Sequence, residues 1–150
     1  MTQKDKEFVL FVCTGNTCRS PMAQGFFNEE ASKRGLSLCA KSAGISALAN
    51  ASATMESQVA LSEKGVDISA HRAQSITPAL IEEAKVIFAM TRAHADFLQG
   101  AYPHCAQKIE VFANKDVADP YGGDAERYKR AAAEIFAGVA LILERPGEKT

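Results

Sequence analysis

The chain alternates short apolar runs with segments that repeat at helical spacing. The clearest run, Phe8–Cys13, contains only apolar residues, mostly β-branched or aromatic, and predicts a strand buried on both faces of a parallel sheet. Weaker apolar runs predict three further strands, over 36–43, 86–90 and 108–112. Gly44 ends the second of these runs.

Helical periodicity fills the intervals between the strands. Ser20 and Pro21 are suited to begin the first helix, as its N-cap and first-turn proline, and Gly35 is suited to end it. Further helices are predicted over 53–64, over about 92–99, and over a C-terminal segment that should end near Arg145, before Pro146, with an apolar face at Tyr128, Ala132, Ile135, Val139 and Ile142.

Strands that alternate with helices predict an α/β fold, with an open four-stranded parallel sheet and helices on both faces. The 150 residues contain no repeat, low-complexity stretch or linker, so we predict a single domain over residues 1–150. Ligands of such sheets bind beyond the carboxyl ends of the strands. We therefore expect a site between the loop after the first strand and residues 118–123 after the last one.

Composition narrows the classes of function. Hydrophobic residues make up 47% of the chain and the net charge is −1, which is typical of a globular protein and unfavourable for general nucleic-acid binding. The polar start and the short first apolar run predict neither a secretion signal nor a membrane span. The four cysteines are therefore expected to be reduced thiols of a cytoplasmic protein, serving as core residues, metal ligands or catalysts: Cys13, Cys18, Cys39 and Cys105.

The loop after the first strand carries the strongest chemical signal. It reads CTGNTCRS over residues 13–20 and joins a buried strand to a helix N-terminus, where backbone N–H groups and the helix dipole form an anion cradle. Gly15 would permit a positive φ in that cradle, and Arg19 adds a planar fork that matches phosphate oxygens. The positive field favours the thiolate of Cys13, which would be placed to attack a phosphoryl group bound above it.

Other uses of these cysteines are weaker. Cys13 and Cys18 could form half of a zinc site, but no second Cys/His pair has suitable spacing. Cys39 and Cys105 are interpreted as buried structural thiols. We therefore predict no metal and no cofactor.

Phosphoryl transfer to sulfur also needs an acid for the leaving group and later a base for water. Asp119 is the candidate, because it follows the last strand and precedes Pro120, which favours an extended backbone before it. Gly122 and Gly123 would give this segment mobility, and Tyr121 is placed to line the mouth of the pocket. The alternative interpretation is that Asp-Pro only starts a turn.

The loop, continued by Pro21-Met22-Ala23, resembles the phosphate loop of the low-molecular-weight protein tyrosine phosphatases. The resemblance extends over essentially the whole chain: residues 42–44 match the segment after the family's second strand, and residues 119–122 match its general-acid loop. It implies an enzyme that acts on a phosphorylated protein through a phosphocysteine intermediate. We expect a monomer that needs no other partner.

The resemblance also implies roles for individual residues. Cys13 is the nucleophile, Arg19 binds phosphate and stabilises the transition state, and Asp119 is the acid and then the base. Cys18 matches a second cysteine that can trap Cys13 in a reversible disulfide and so protect it from irreversible oxidation. The other matched positions line the phosphate site or shape its loop: Thr14, Gly15, Thr17 and Tyr121 at the site, Ser20 holding the thiolate, and Asn16, Ser42 and His71 in a hydrogen-bond network.

Thr17 bears on the choice of substrate. Tyrosine-directed members of the family usually have Ile or a similar residue there, whereas Thr resembles the bacterial protein arginine phosphatases, as does the stretch 119–123. A hydroxyl on the pocket wall tolerates a planar, donor-rich guanidinium better than a branched alkyl group does. The stretch 45–48 lacks the family's second-wall aromatic, which opens that side of the pocket. Phosphoarginine is therefore narrowly favoured over phosphotyrosine.

Two other classes of function stay open. Thiol-dependent arsenate reductases have a similar loop, but they need a further pair of cysteines close together, and Cys105 has no such neighbour in the sequence. A non-catalytic phosphoprotein-binding module is disfavoured, because Cys13, Arg19 and Asp119 are all present.

Overall fold

The computed structural model describes residues 7–145, in which four parallel strands form one sheet. This confirms the predicted α/β fold with a four-stranded parallel sheet. Because β1 lies between β2 and β3, the strand order reverses there, and a crevice opens beyond the carboxyl end of β1. The order across the sheet is β2-β1-β3-β4, with β1 at Phe8–Cys13, β2 at Cys39–Gly44, β3 at Ile87–Ala89 and β4 at Ile109–Val111.

Helices cover both faces of the sheet, as predicted. Side chains of β1 alternate between the two cores, so that Phe11 is buried on one face and Leu10 on the other. Short 3₁₀ turns at Pro103–Lys108 and Phe112–Asn114 flank β4. Helices α1 (Arg19–Lys33), α2 (Met55–Ser62) and α5 (Ala125–Leu143) pack on the first face, and α3 (Pro78–Glu83) and α4 (Arg92–Ala101) on the second.

Glycines end two of the helices, as expected from their positions in the sequence. Gly35 follows α1 with a φ of 70°, and Gly65 follows α2 with a φ of 78°, the left-handed conformation typical of a helix end. The C-terminal helix α5 ends at Leu143, while the predicted stop at Pro146 lies outside the described residues. No helix within residues 7–145 is both long and apolar enough to cross a membrane.

Two helix starts differ from the prediction. The expected N-cap at Ser20 is wrong: α1 begins at Arg19, and the Ser20 hydroxyl contacts the sulfur of Cys13 instead of capping the helix. Helix α3 is absent from the sequence prediction, although its start carries a recognisable signal. Thr77 caps it through Leu80 N–H, and a proline stands at its first position.

Candidate active site

The phosphate loop, residues 13–20, wraps around the thiol of Cys13 at the carboxyl end of β1. Cys13 is only 2% exposed, and its Sγ lies 2.8 Å from Ser20 Oγ. Asn16 N–H donates a second hydrogen bond to the same sulfur, at 3.3 Å. The side chain of Ser20 reaches back from the first turn of α1, so the sulfur also lies near a helix N-terminus. Hydrogen-bonding groups and a helix N-terminus therefore surround the sulfur.

Asn16 holds the loop in its shape. Asn16 has a positive φ of 58°, whereas Gly15 does not, so the expectation of a positive φ at Gly15 is wrong. Asparagine tolerates this left-handed conformation better than most residues do, and here both ends of its side-chain amide are hydrogen-bonded. Nδ2 donates to Ser20 Oγ at 2.8 Å and to Ser42 Oγ at 2.9 Å, while Oδ1 accepts from Gln74 N–H at 3.0 Å. A glycine could not make these three contacts.

Two residues outside the loop support it from behind. His71 Nε2 donates to the carbonyl oxygen of Asn16 at 2.8 Å, so the proton is on Nε2. Burial lowers the pKa of His71; the hydrogen bond to Asn16 opposes this shift and nearby Arg72 reinforces it. Gly44 ends β2 directly against the loop, and a Cβ there would lie 2.6 Å from the carbonyl oxygen of Thr14. Any side chain at Gly44 would therefore displace the loop backbone.

His94 also supports the phosphate loop, a role that was not predicted from the sequence. Its Nε2 lies 2.8 Å from Thr14 Oγ1, and its buried Nδ1 has no hydrogen-bond partner within the described residues. Burial, followed by the charge of Arg19, lowers the pKa of His94, whereas Asp119 and Asp116 raise it. A signal was available, because His94 lies in the first turn of the helix that follows β3, and the carboxyl ends of parallel strands are where ligands bind.

Arg19 and Asp119 face each other at the mouth of the loop. Arg19 is buried; its Nη1 donates to the Val117 carbonyl at 3.0 Å, and its Nη2 lies 3.5 Å from Asp119 Oδ2. Arg19 Nε is also buried and has no hydrogen-bond partner within residues 7–145, so it can donate to a phosphate oxygen. The other carboxylate oxygen of Asp119 accepts from Tyr121 N–H at 3.1 Å.

Asp119 and Tyr121 belong to the acid loop, residues 117–124. Gly122 has a φ of 80°, and Gly123 N–H donates to the Pro120 carbonyl at 2.7 Å, so the two glycines allow a tight turn. The expected Asp-Pro turn and the expected position of Asp119 at the site therefore occur together.

These elements enclose an open cleft of about 460 Å³. Leu48 and Tyr121 stand at its rim with 79% and 70% of their surfaces exposed. The phosphate loop, the acid loop and the segment before α2 supply the lining residues: Cys13, Thr14, Gly15, Thr17, Cys18, Arg19, Leu48, Ala51, Ser52, Thr54, Asp119 and Tyr121. Four residues predicted for the site are not among these. Asn16 and Ser20 are buried members of the loop itself, and Ser42 and His71 contact the loop from behind through Asn16.

Cys18 points into the helical layer behind the cleft. Its Sγ lies 3.5 Å from Tyr128 Oη and 3.7 Å from Thr54 Oγ1. Burial, and next the contact with Cys18, raises the pKa of Tyr128. None of the four cysteines forms a disulfide in the described part of the chain, and Cys39 and Cys105 are buried in the core on the other face of the sheet. A disulfide between Cys13 and Cys18 stays a prediction.

A buried cysteine in contact with a loop N–H and a hydroxyl, together with an arginine and a facing aspartate, defines a cysteine-based phosphatase site. The family model described as low molecular weight phosphotyrosine protein phosphatase matches residues 8–148. The chain therefore belongs to this family, and it is a protein phosphatase, a hydrolase whose substrates are phosphorylated proteins.

The similarity to known members of the family extends over most of the chain. This chain is 35% identical over 133 residues to the protein-arginine-phosphatase of Bacillus subtilis, and the match spans 85% of this chain and 88% of that protein. The structure of a low molecular weight protein tyrosine phosphatase from T. tengcongensis is 40% identical, with a TM-score of 0.90. The match covers 93% of this chain and 99% of that chain. A third match is the structure of a cysteine-to-serine mutant of YwlE arginine phosphatase with a phosphorylated active site serine. It is 32% identical, with a TM-score of 0.87, and the match covers 93% of this chain and 97% of that chain.

Proposed function

We propose that this phosphatase hydrolyses phosphoarginine on proteins through a phosphocysteine intermediate. The observation that carries the proposal is the position of Cys13, whose sulfur lies in the cleft beside the Ser20 hydroxyl and Asn16 N–H. Arg19 and Asp119 face the same space. The phosphorylated active site serine of the mutant arginine phosphatase supports a covalent step at the corresponding side chain.

In the first step, the Cys13 thiolate attacks phosphorus. An S–P bond forms while the P–N bond to the arginine guanidino group breaks. The loop N–H groups and Arg19 hold the phosphoryl oxygens and stabilise the charge that develops on them. Asp119, protonated at this stage, gives its proton to the leaving nitrogen, so unmodified arginine departs.

In the second step, water hydrolyses the phosphocysteine. The Asp119 carboxylate accepts a proton from the water as its oxygen attacks phosphorus, and the S–P bond breaks. Inorganic phosphate leaves and the Cys13 thiolate is restored. Because 52% of the Asp119 side chain is exposed, water can reach it from the mouth of the cleft.

Thr17 and Leu48 support phosphoarginine as the substrate. The only side-chain hydrogen-bond contact of Thr17 Oγ1 within the described residues is with the sulfur of Cys18, at 3.9 Å, so the hydroxyl can accept from a guanidinium N–H. Leu48 stands at the rim of the cleft. Its aliphatic side chain cannot stack on the ring of a substrate as an aromatic wall would. The name of the Bacillus subtilis relative agrees with this choice.

Phosphotyrosine is the second candidate. The exposed ring of Tyr121 at the rim could stack on an aromatic substrate, and the T. tengcongensis protein is named a tyrosine phosphatase. For an arsenate reductase the support is poorer, because Cys39 and Cys105 lie in the core across the sheet from Cys13 and Cys18. The monomeric state and the cytoplasmic location stay predictions.

The substrate preference is tested by measuring kcat/KM for two peptides that share one sequence and carry either phosphoarginine or phosphotyrosine at the same position. We expect the wild type to have the higher kcat/KM for phosphoarginine. Thr17→Ile removes the hydroxyl and should shift the ratio of kcat/KM towards phosphotyrosine by about tenfold or more. Thr17→Ser, the matched control, keeps the hydroxyl and should keep the preference. A wild type that is inert on phosphoarginine and active on phosphotyrosine would establish the second candidate.

A further inference from the structure

A second cleft adjoins the active site on the far side of the acid loop. It has a volume of about 380 Å³ and shares Asp119 with the active-site cleft. Asp119 and Pro120 form the wall between the two clefts, and the opposite wall is the exposed surface of α5. A polypeptide whose phosphorylated side chain enters the active site can therefore place a neighbouring residue over this second cleft.

Two arginines of α5, Arg127 and Arg130, line this cleft three residues apart, on one face of the helix. Neither guanidinium forms an ion pair or a hydrogen bond within residues 7–145. Every other arginine in this part of the chain has such a partner: Arg19 with Asp119, Arg34 with Glu144, Arg72 with the His71 carbonyl, Arg92 with Asp96 and Arg145 with Glu110.

The acidic groups of the second cleft already have other partners. Asp119 pairs with Arg19 at 3.5 Å, and Glu134 pairs with Lys115 at 3.7 Å. The cleft thus presents two guanidinium groups that have no ion-pair partner among the described residues, beside two carboxylates that pair with cations outside it. An anionic group is the complementary occupant.

Arg127 is also packed against the acid loop. A Cβ on Gly123 would lie 2.6 Å from Arg127 Cδ, so the stem of the arginine lies directly over this glycine. The backbone N–H of Arg127 donates to Asp124 Oδ1 at 3.0 Å, which ties the start of α5 to the end of the loop. The position of the guanidinium is therefore coupled to the segment that holds Asp119.

We propose that Arg127 and Arg130 form a specificity site that binds an Asp or Glu side chain of the substrate, a few residues from the phosphorylated residue. The proposal deepens the proposed function and rests on it only for the identity of the phosphorylated residue. Guanidinium groups match carboxylates in geometry, and two of them on one helix face can hold one carboxylate. Exposed ion pairs are weak, so the expected preference is modest: about three- to tenfold in kcat/KM at low ionic strength, and less at high salt.

The test compares peptides that differ only in their flanks. One set carries Glu residues on the N-terminal side, one on the C-terminal side, and one carries Gln at both. Each set is made with phosphoarginine and with phosphotyrosine. The readout is the ratio of kcat/KM for a Glu peptide to that for the Gln peptide, measured within each variant, so that any general change in activity cancels.

We expect a ratio above one for the wild type on one flank, and a ratio near one for the double variant Arg127→Gln/Arg130→Gln. Arg130→Glu should bring the ratio below one. Lys129→Gln is the matched control, since Lys129 lies between the two arginines but pairs with Glu63 at 4.0 Å, and it should keep the wild-type ratio.

Equal rates on Glu and Gln peptides would overturn the proposal, and so would a preference that survives the double variant, because the carboxylate would then bind elsewhere. If only the phosphotyrosine peptides are hydrolysed, the phosphoarginine assignment fails. The flank ratio measured on those peptides still decides the role of the two arginines.

Discussion

The phosphate loop and the acid loop face each other across one cleft but are held in different ways. Asn16 is fully buried in the phosphate loop, and its side chain bonds to Ser42 and Gln74, which lie 26 and 58 residues further along the chain. In the acid loop, long-range bonds hold only the start, where Val117 bonds to Met90 and Arg19 and where Asp119 pairs with Arg19. The rest of the turn is closed by bonds between near neighbours, from Tyr121 N–H to Asp119 and from Gly123 N–H to the Pro120 carbonyl.

The difference fits the two tasks in the proposed mechanism. Binding a phosphoryl group needs several N–H groups held in fixed positions, because donors that must reorganise stabilise the transition state poorly. The proposed acid and base must instead meet a leaving group and then water, so an exposed position suits it. We therefore expect substitutions in the acid loop to affect proton transfer and substitutions around the phosphate loop to affect folding and phosphate affinity together.

The largest effect should come from Asp119→Asn. This change keeps the shape and the acceptor for Tyr121 N–H but removes the proton donor, so kcat should fall by about 10²- to 10⁴-fold. Because the same residue is the proposed base, phosphocysteine should accumulate and be visible as a mass increase on Cys13 in rapidly quenched protein. Asp116→Asn, in the segment just before the acid loop, is the control for loss of a charge. Equal turnover by Asp119→Asn and wild type would remove Asp119 from the mechanism.

A smaller effect is expected from Gly44→Ala, because the added Cβ would meet the backbone of the phosphate loop at 2.6 Å from Thr14 O. The free energy of unfolding should fall by about 1–3 kcal/mol, as for other overpacked sites. The inhibition constant for inorganic phosphate should rise as well. Gly100→Ala is the matched control: nothing lies within 4 Å of its Cβ position, and the change should be neutral or stabilise α4 by up to about 1 kcal/mol. If Gly44→Ala kept both properties, the loop would be less rigidly held than its contacts imply.

The smallest effect concerns pH. Burial lowers the pKa of His94 from 6.5, so the unfolded chain takes up this proton first as the pH falls. The stability that comes from neutral His94 is present in full above about pH 6.5 and is lost as the pH drops towards the folded pKa. His71 is shifted in the same direction and adds to this loss.

The free energy of unfolding should therefore fall between pH 7.5 and 5.5, and it should fall less in His94→Gln, whose amide can still donate to Thr14. An identical pH dependence in wild type and His94→Gln, measured by urea unfolding, would contradict a neutral His94 behind the phosphate loop.

The sequence predicted most of the fold because its signals are local. The apolar run of β1 and the glycines after α1 and α2 are visible within a few neighbouring residues. Helix α3 is only six residues long, so its periodicity is too short to recognise, and only its capping Thr77 and following proline mark it. Ser20 has the residue type of an N-cap, but its hydroxyl is taken by Cys13 and Asn16, which are brought to it by tertiary structure.

The active site divides in the same way into features set by neighbouring residues and features set by long-range contacts. By itself, the sequence determined the strand-loop-helix unit that carries Cys13 and Arg19, and it identified Asp119 through the position of its segment after the last strand. Only the tertiary structure decided that Asn16 takes the positive φ and that His94 lies behind Thr14. It also decided that Arg127 and Arg130 lie beside the acid loop with no side-chain partner among residues 7–145. The physical reason is that these properties depend on contacts between residues far apart in the chain, whereas helix and strand formation depends mainly on neighbours.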